Sequence, residues 1–282
     1  MLSQKINPHI KNIIMKKILV LLTLALLSAN FAFSQKKALE DSVVFVCPPC
    51  GGGCDEVAFA KAGTCPHCGM ELVRKTFKDF NEKKTSPNMS ICFYLQNGVE
   101  VLDFAGPLEV FTAAGFKVFI VSKTKEKIVA QGTLTIVPDY SIEDAPPADI
   151  MVFFGGSTDA PSNDPALISW IQSRKKSTEY FLSVCTGAFI IGRAGLLDNL
   201  TATTFHSQIG SLRKMLPKTK VLSNVRFVDN GNIITTAGIS AGIDGALHLV
   251  EKLKGREFAK NIAAVIEYDK WVPENGLIVK SK

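Results

Sequence analysis

From residue 89 onward the chain alternates short apolar runs with helical patterns, and this alternation restricts the possible fold more than any other feature. Several runs are apolar at nearly every position, as expected for strands that are covered on both faces of a sheet. The predicted strands are Ser90–Leu95, Lys117–Ser122, Asp149–Phe154, Tyr180–Val184 and Ile233–Thr236.

Helical patterns occupy much of the sequence between and after these strands. Pro107 is predicted to start one helix in its first turn, where a missing N–H costs nothing. The other predicted helices are Asp164–Lys175, Ser207–Met215, Ala241–Lys254 and Arg256–Tyr268. Alternating strands and helices predict an α/β fold, a doubly wound and mostly parallel sheet with helices on both faces. Val225–Val228 and Asn232–Thr235, joined through Asn230-Gly231, are predicted to add a hairpin to it.

The N-terminus has the pattern of a signal peptide. Lys16 and Lys17 precede the apolar run Ile18–Leu27, and small residues follow at Ala32–Ser34. The run is too short for a membrane-spanning helix, which needs roughly 20 residues, although an uncleaved anchor is the alternative. We expect residues 1–34 to be removed, with Met15 as the natural start, and the protein to be secreted or periplasmic without a stable membrane anchor.

Charge gives no support for nucleic-acid binding. The chain carries a formal net charge of +6, and residues 1–34 contribute four lysines and no acid, so the mature chain falls to +2. It contains no run of five or six like charges and no basic stripe interleaved with aromatic residues.

Five of the seven cysteines lie close together near the N-terminus. The pairs Cys47-x2-Cys50 and Cys65-x2-Cys68 have the spacing of two zinc knuckles, and Cys54 is a fifth thiol between them. We predict a zinc-ribbon-like module over residues 45–75 and a polar linker over 76–88. The segment resembles the small heavy-metal-binding ribbons of exported bacterial proteins. Thiolates bind zinc or copper(I), so the module is either a structural metal site or one that senses or carries a metal. Disulfides between these cysteines are the third alternative.

Cys185 is the candidate nucleophile. The run YFLSVCTGAF places it directly after an apolar strand and before a helix that opens at Thr186-Gly187. The amides and the dipole at a helix N-terminus favour the thiolate form of a cysteine placed there. The Thr186 amide is expected to point toward the oxyanion that forms on a substrate when Cys185 attacks it. The alternative is an inert core cysteine, the role that we predict for Cys92.

Two other segments are expected to meet Cys185 at the carboxyl ends of the strands. Asp149–Phe154 runs into Gly155-Gly156, whose amides are candidates for completing an oxyanion hole. In LDFAGPLEVF, Asp103 precedes the helix predicted from Pro107, at a place where an acid reaches into the crevice. Its alternative role is to cap that helix or a turn.

Residues 89 to about 272 resemble the ThiJ/PfpI family of the class I glutamine amidotransferase-like superfamily. The motifs that carry the resemblance are LDFAGPLEVF, DIMVFFGG, SVCTGAFIIGRAGLL, LTATT and GISAGIDGALHLVEKL. The most similar branch is that of the isonitrile hydratases and the sensor domains of AraC-type regulators. The resemblance implies a flavodoxin-like fold over 89–272 with a tail at 273–282, a homodimer, and no cofactor in this domain. It also implies a nucleophile at Cys185, a hydroxyl neighbour at Thr186 and an acid at Asp103. Gly155, Gly156 and Gly187 are candidates for binding an oxyanion or the substrate.

One departure concerns histidine. Relatives of this branch often read TATTHW, whereas this chain reads Thr201 to His206 as TATTFH, so Phe205 takes the usual histidine position. His206 is a candidate for assisting Cys185, but a Cys–Asp pair without histidine is the simpler expectation. His248 is predicted to be a packed or surface residue.

Three functions follow as hypotheses. The first is a cysteine-dependent lyase or hydrolase that acts on a small electrophile and resembles isonitrile hydratase. The second is a protein that binds or senses a metal and a ligand without turnover. The third is a glyoxalase-like or deglycase-like activity.

Overall fold

The structure is a computed structural model that describes residues 41–47, 54, 57–80, 89–268 and 271–279. The predicted signal peptide, Cys50, most of the predicted linker and the last three residues lie outside these ranges. The chain divides into two compact units; the described residues up to Phe80 lie in the first and those from Met89 in the second. Within the described ranges, no helix has the length and apolar character needed to cross a membrane.

The first unit is a small antiparallel sheet. Its strands are β1 (Val43–Val46), β2 (Ala58–Phe59) and β3 (Val73–Thr76), with β1 in the middle. Val43 pairs with Thr76, and the Phe77 N–H donates to Ser42 O over 2.8 Å. The sheet therefore continues one residue beyond residue 75, and Thr76, the first residue of the predicted linker, belongs to it.

The second unit contains the remaining strands and seven described α-helices. Its strands are β4 (Ser90–Tyr94), β5 (Lys117–Ser122), β6 (Ile128–Ala130), β7 (Leu134–Ile136), β8 (Tyr140–Ser141), β9 (Ile150–Phe153), β10 (Tyr180–Ser183), β11 (Thr201–Ala202), β12 (Lys220–Val221), β13 (Phe227–Asp229), β14 (Ile233–Thr236) and β15 (Leu277–Ile278). Its helices are α1 (Val101–Ala113), α2 (Asp159–Ser162), α3 (Pro165–Arg174), α4 (Gly187–Arg193), α5 (Ile209–Met215), α6 (Ala241–Lys254) and α7 (Arg256–Val265).

Eight strands form the main sheet in the order β15-β13-β14-β10-β9-β4-β5-β8. Its described pairings are parallel except for β13 with β14, which form the hairpin predicted around Asn230-Gly231. Parallel pairing brings the carboxyl ends of β4, β9 and β10 to one edge of the sheet. That edge holds the candidate site.

Alternate residues of each strand enter two different cores. On β4, Ile91 and Phe93 are in the core packed by α1, α6 and α7, whereas Cys92 and Tyr94 are in the core packed by α3, α4 and α5. Because the side chains of a strand alternate between its faces, the two cores lie on opposite sides of the sheet. The predicted doubly wound α/β fold is confirmed, and so is the burial of Cys92, which is 2% exposed.

The prediction that a helix begins at Pro107 is wrong. Helix α1 begins at Val101 and carries Pro107 in its interior, so Asp103 lies in the first turn of the helix rather than in front of it. A Cβ on Gly106 would lie 2.7 Å from Ile243 of α6, which shows how closely the two helices pack. A proline inside a helix removes one backbone hydrogen bond, and this packing compensates for its loss.

Candidate functional site

Cys185 lies on a sharp turn between β10 and α4. Its backbone has φ 57°, in the left-handed region that an L-residue with a side chain rarely adopts. Two hydrogen bonds hold this geometry: the Cys185 N–H donates to Ala237 O over 3.1 Å, and Thr204 Oγ1 donates to Cys185 O over 2.7 Å. Strained backbone held by its surroundings is common at functional sites. The predicted elbow is therefore present.

Gly187 allows the helix after the elbow to lie directly on β9. A Cβ at this position would collide with Phe153 O, so only glycine fits. The Gly187 N–H donates to Val184 O over 2.9 Å. Gly187 therefore has a packing role, with its amide and its Cα face both used within the elbow, and its contact with substrate stays a prediction.

Asp103 is the buried acid of the site. Its side chain is completely buried and accepts two backbone hydrogen bonds, one from Gly155 N–H to Oδ2 over 3.0 Å and one from Ile239 N–H to Oδ1 over 2.8 Å. Ile239 also has a left-handed backbone, with φ 58°. Burial raises the pKa of Asp103 to about 6, although the two amides oppose the shift. Near neutral pH this carboxyl can therefore both hold and release a proton.

The Cys185 thiol and Asp103 are in contact across Gly155. A Cβ on Gly155 would lie 2.6 Å from Asp103 Oδ2 and 2.8 Å from Cys185 Sγ, so no larger residue fits between them. Burial and then the Asp103 charge raise the pKa of the Cys185 thiol to about 12, while the amide and hydroxyl of Thr186 act in the opposite direction. At rest the sulfur is a protonated thiol beside a carboxyl that can accept its proton.

The amides predicted to form an oxyanion hole are used differently. The Gly155 N–H is donated to Asp103 and is not free to bind an oxyanion, which corrects that prediction. Gly156 forms an isolated antiparallel β-bridge with Val99. Gly156 O also accepts a hydrogen bond from Thr186 Oγ1 over 3.4 Å. The Thr186 amide is directed at the sulfur, as the elbow geometry predicted. Oxyanion roles for the Gly156 and Thr186 amides remain predictions.

The candidate His206 makes no hydrogen bond with Cys185 in the described part of the chain. A Cβ on Gly238 would lie 2.5 Å from the Phe205 ring and 3.0 Å from Cys185 Sγ, so Phe205 lies beside the thiol. His206 is exposed, and its ring centroid lies 4.3 Å from that of Phe205. His248 is buried in α6 and bonds Asp229 over 2.8 Å, in agreement with its predicted packed role. The geometry supports the simpler Cys–Asp pair.

A cavity of about 720 Å³ lies beside the pair. Thr186 and Gly156 line one part of it, and Gln96, Ser122, Ser157 and Phe189 line others. Neither Cys185 nor Asp103 belongs to its described lining, which includes Thr186, the residue that follows Cys185. Its walls carry hydroxyl, amide and charged groups together with a few apolar side chains.

In the first unit, four cysteines form a cluster suited to a metal ion. The Sγ atoms of Cys47, Cys54, Cys65 and Cys68 all lie within 4.8 Å of one another. Sulfurs bound to tetrahedral zinc at about 2.3 Å are roughly 3.8 Å apart, so the cluster fits such an ion with small adjustments. Cys47 Sγ and Cys68 Sγ are 3.1 Å apart, well beyond a disulfide bond of about 2.05 Å. The predicted ligand Cys50 lies outside the described residues.

The second knuckle is held by its own backbone. Cys65 N–H donates to Met70 O over 2.7 Å, and Gly69 N–H donates to Cys65 O over 2.9 Å. Gly69 has φ 75°, a conformation that glycine adopts without cost. Hydrogen bonds from Cys47 and then from the Met70 backbone lower the pKa of Cys68 to about 7, so this thiol is readily converted to the thiolate that metals bind.

Residues 89–252 match the DJ-1/PfpI family over more than half of the chain. The chain belongs to the DJ-1/PfpI family. Residues 44–75 match the heavy metal binding domain, so the resemblance of both segments is confirmed.

Several relatives of this DJ-1/PfpI chain differ in what they do. An isonitrile hydratase of Pseudomonas putida is 32% identical, and the match covers 64% of this chain and 78% of that protein. An HTH-type transcriptional regulator, GbdR of Pseudomonas aeruginosa, is 24% identical over 64% of this chain and 51% of its own length. The crystal structure of a ThiJ/PfpI family protein from Pseudomonas syringae has a TM-score of 0.62 and 28% identity, covering 74% of this chain and 86% of that one. Family membership therefore fixes the fold but not the activity.

The sequence did not single out some residues that build the DJ-1/PfpI site. Ile239 supplies an amide to Asp103, and Gln96 donates to the carbonyls of Phe154 and Gly155. Ile239 lies in a motif that the sequence analysis used only for the family resemblance, and a glutamine after a buried strand carries little signal by itself. Both act through contacts between segments distant in sequence.

Proposed function

We propose that the DJ-1/PfpI domain is a cysteine-dependent enzyme that hydrates a small electrophile, in the manner of an isonitrile hydratase. The observation that carries this proposal is the contact between the Cys185 thiol and the buried Asp103 carboxyl on a strained elbow. The 32% identity to an isonitrile hydratase supports the choice of substrate class.

The proposed reaction converts an isonitrile, R–N≡C, into an N-substituted formamide. Asp103 takes the thiol proton and delivers it to the isonitrile carbon as the Cys185 Sγ–C bond forms, which gives a thioimidate, R–N=CH–S–Cys. Water then adds to this carbon, and Asp103 carries the proton of the water to the nitrogen. The C–S bond breaks as the proton of the new hydroxyl group passes to the sulfur, and R–NH–CHO leaves. Water is the only co-reactant, and nothing is oxidised or reduced.

The side chains around the pair fit these steps. Because the pKa of Asp103 is raised to about 6, this carboxyl can take up and return a proton near neutral pH. The amide and hydroxyl of Thr186 stabilise the sulfur when it loses its proton. Phe205 beside the thiol excludes water from one side of it, so Asp103 handles the proton transfers without histidine.

The N-terminal module is proposed to hold zinc, with Cys47, Cys54, Cys65 and Cys68 as the described ligands. When bound, such an ion supplies folding energy to a module that has only a small core. Copper(I) is the alternative for the same thiolates. The cluster also favours a second candidate function, in which the chain binds or senses a metal and a ligand without turnover. Export, with removal of residues 1–34, and a homodimer complete the proposal.

The decisive experiment measures formamide production from an alkyl isonitrile by the purified chain from residue 35 onward. We expect turnover in the wild type, loss of at least a hundredfold in Cys185→Ser, and retention in Cys92→Ser. Cys92 is a matched control because it is a buried cysteine of the same sheet that faces the core around α3, α4 and α5.

Two further measurements separate the alternatives. Turnover of methylglyoxal but not of the isonitrile would move the activity to the glyoxalase type. Absence of turnover with every small electrophile tested, together with one tightly bound metal ion per chain, would favour the binding or sensing function. Metal content of the full chain, measured before and after chelation, identifies the ion.

A further inference from the structure

Gln96 is buried behind the Cys–Asp pair, next to the end of β4. Its side chain is 6% exposed, and its Nε2 donates to Phe154 O over 3.2 Å and to Gly155 O over 3.1 Å. Since both acceptors are carbonyl oxygens, the orientation of the amide is fixed, with the nitrogen toward them. Its Oε1 is buried and accepts no hydrogen bond from the described part of the protein.

One of these carbonyls belongs to the peptide group that serves Asp103. Phe154 C=O and Gly155 N–H are the two ends of a single peptide group. The carbonyl end accepts from Gln96 Nε2, and the amide end donates to Asp103 Oδ2 over 3.0 Å. A donor on the carbonyl polarises the peptide and strengthens the hydrogen bond that its N–H donates. Gln96 is thus connected to Asp103 through one rigid group.

The hydrogen bonds of Gln96 go to the peptide groups next to Asp103. Its neighbours Leu95 and Val99 are completely buried, and Gln96 itself also lines the cavity beside the pair. A buried amide oxygen without a hydrogen-bond partner destabilises the folded state. The donors of Gln96 therefore offset this cost with interactions that an apolar residue lacks, and they direct those interactions at the peptide that contacts Asp103.

We propose that Gln96 is a positioning residue that orients and polarises the Phe154–Gly155 peptide toward Asp103 and so tunes the proton exchange between Asp103 and Cys185. The proposal rests on the proposed function for its catalytic meaning, but its physical content is testable without turnover. The Cys185 thiol and the Ile239 amide also act on the Asp103 carboxyl, and both lower its pKa. The negative charge of Glu100 raises that pKa.

The test is the substitution Gln96→Met, which keeps the length of the side chain and removes both donors. A weaker Gly155 hydrogen bond stabilises the Asp103 carboxylate less, so we expect the Asp103 pKa to rise by about half a pH unit. The pKa is measured by 13C NMR titration of the carboxyl in selectively labelled protein, and Asp103→Asn assigns the resonance. If Gln96→Met does not fold, Gln96→Leu is the second variant.

The matched control is Gln172→Met. Gln172 also donates its Nε2 to a backbone carbonyl, that of Ala194 over 3.5 Å, but it lies on α3 outside the chain of contacts to Asp103. We expect this variant to leave the Asp103 pKa unchanged. An unchanged or lowered Asp103 pKa in a folded Gln96 variant would overturn the proposal.

The kinetic counterpart distinguishes this proposal from the proposed function. If the wild type hydrates isonitriles, the acidic limb of its kcat/KM profile moves to higher pH in Gln96→Met, whereas a loss of folded protein would lower activity equally at every pH. If the wild type shows no turnover, the proposed function fails, and the NMR titration still decides the role of Gln96.

Discussion

The substitution Asp103→Asn tests most directly how the site controls its thiol. In the wild type the Asp103 carboxyl, with a pKa raised to about 6, is ionised through the alkaline range in which the Cys185 thiol loses its proton. The negative charge of Asp103 is the second cause, after burial, of the raised thiol pKa. Removing that charge leaves burial unchanged and takes away the repulsion between carboxylate and thiolate. We therefore expect the pKa of Cys185 to fall.

The size of the change follows from simple electrostatics. Two unit charges about 4 Å apart interact by about 4 kcal/mol at an effective dielectric constant of 20, which corresponds to an upper limit of roughly three pH units. Solvent and the Thr186 donors screen part of this repulsion, so we expect a decrease of about one pH unit. At any pH below the thiol pKa, this decrease raises the thiolate fraction about tenfold.

Alkylation by iodoacetamide reports the thiolate fraction. The tryptic peptide of residues 177–193 contains Cys185 as its sole cysteine, so mass spectrometry separates this thiol from those of the metal cluster. Measured from pH 7 to pH 10, the logarithm of the alkylation rate rises with pH in both proteins, and the variant reacts about tenfold faster at each pH.

Two controls accompany this measurement. Asparagine offers one acceptor where the carboxylate offers two, so one of the two backbone donors loses its partner at a cost of about 1–3 kcal/mol. Circular dichroism must therefore show that the variant is folded at each pH. An equal or slower rate of Cys185 alkylation in the folded variant would refute the electrostatic account of the pair.

Three further predictions concern stability and metal binding. The substitution Gly155→Ala forces a Cβ against Asp103 and Cys185. We expect the free energy of unfolding, measured in urea, to fall by about 1–3 kcal/mol and turnover to become undetectable. Because the pKa of Asp103 is raised to about 6 in the folded protein, folding is favoured when this carboxyl is protonated. Its stabilising contribution is full below about pH 4 and is lost as the pH rises through about 6. Relative to Asp103→Asn, we expect the free energy of unfolding of the wild type to fall by up to about 3 kcal/mol between pH 4 and pH 7. The substitution Cys54→Ser is expected to weaken zinc binding by the full chain at least tenfold in competition with a chelator, and equal affinity would remove Cys54 from the ligand set.

Much of the fold could be read from the sequence because the relevant signals are local. The apolar runs that became β4, β5, β9, β10 and β14 lie within one residue of their predicted ends, since continuous apolar segments can be satisfied only by a covered sheet. The turn at Asn230-Gly231 depends on backbone preferences of neighbouring residues. The start of α1 could not be read in this way, because Pro107 is tolerated inside the helix only through its packing on α6.

The same distinction between local signals and tertiary packing applies to the candidate site. By itself the sequence determined the elbow at Cys185, the acid at Asp103 and the cysteine cluster, because each depends on residue type and on spacing along the chain. Only the tertiary structure decided that the Gly155 amide serves Asp103 and that Phe205 rather than His206 lies beside the thiol. These outcomes depend on distances between segments far apart in the chain. They are set by how helices and strands pack, which no short stretch of sequence encodes.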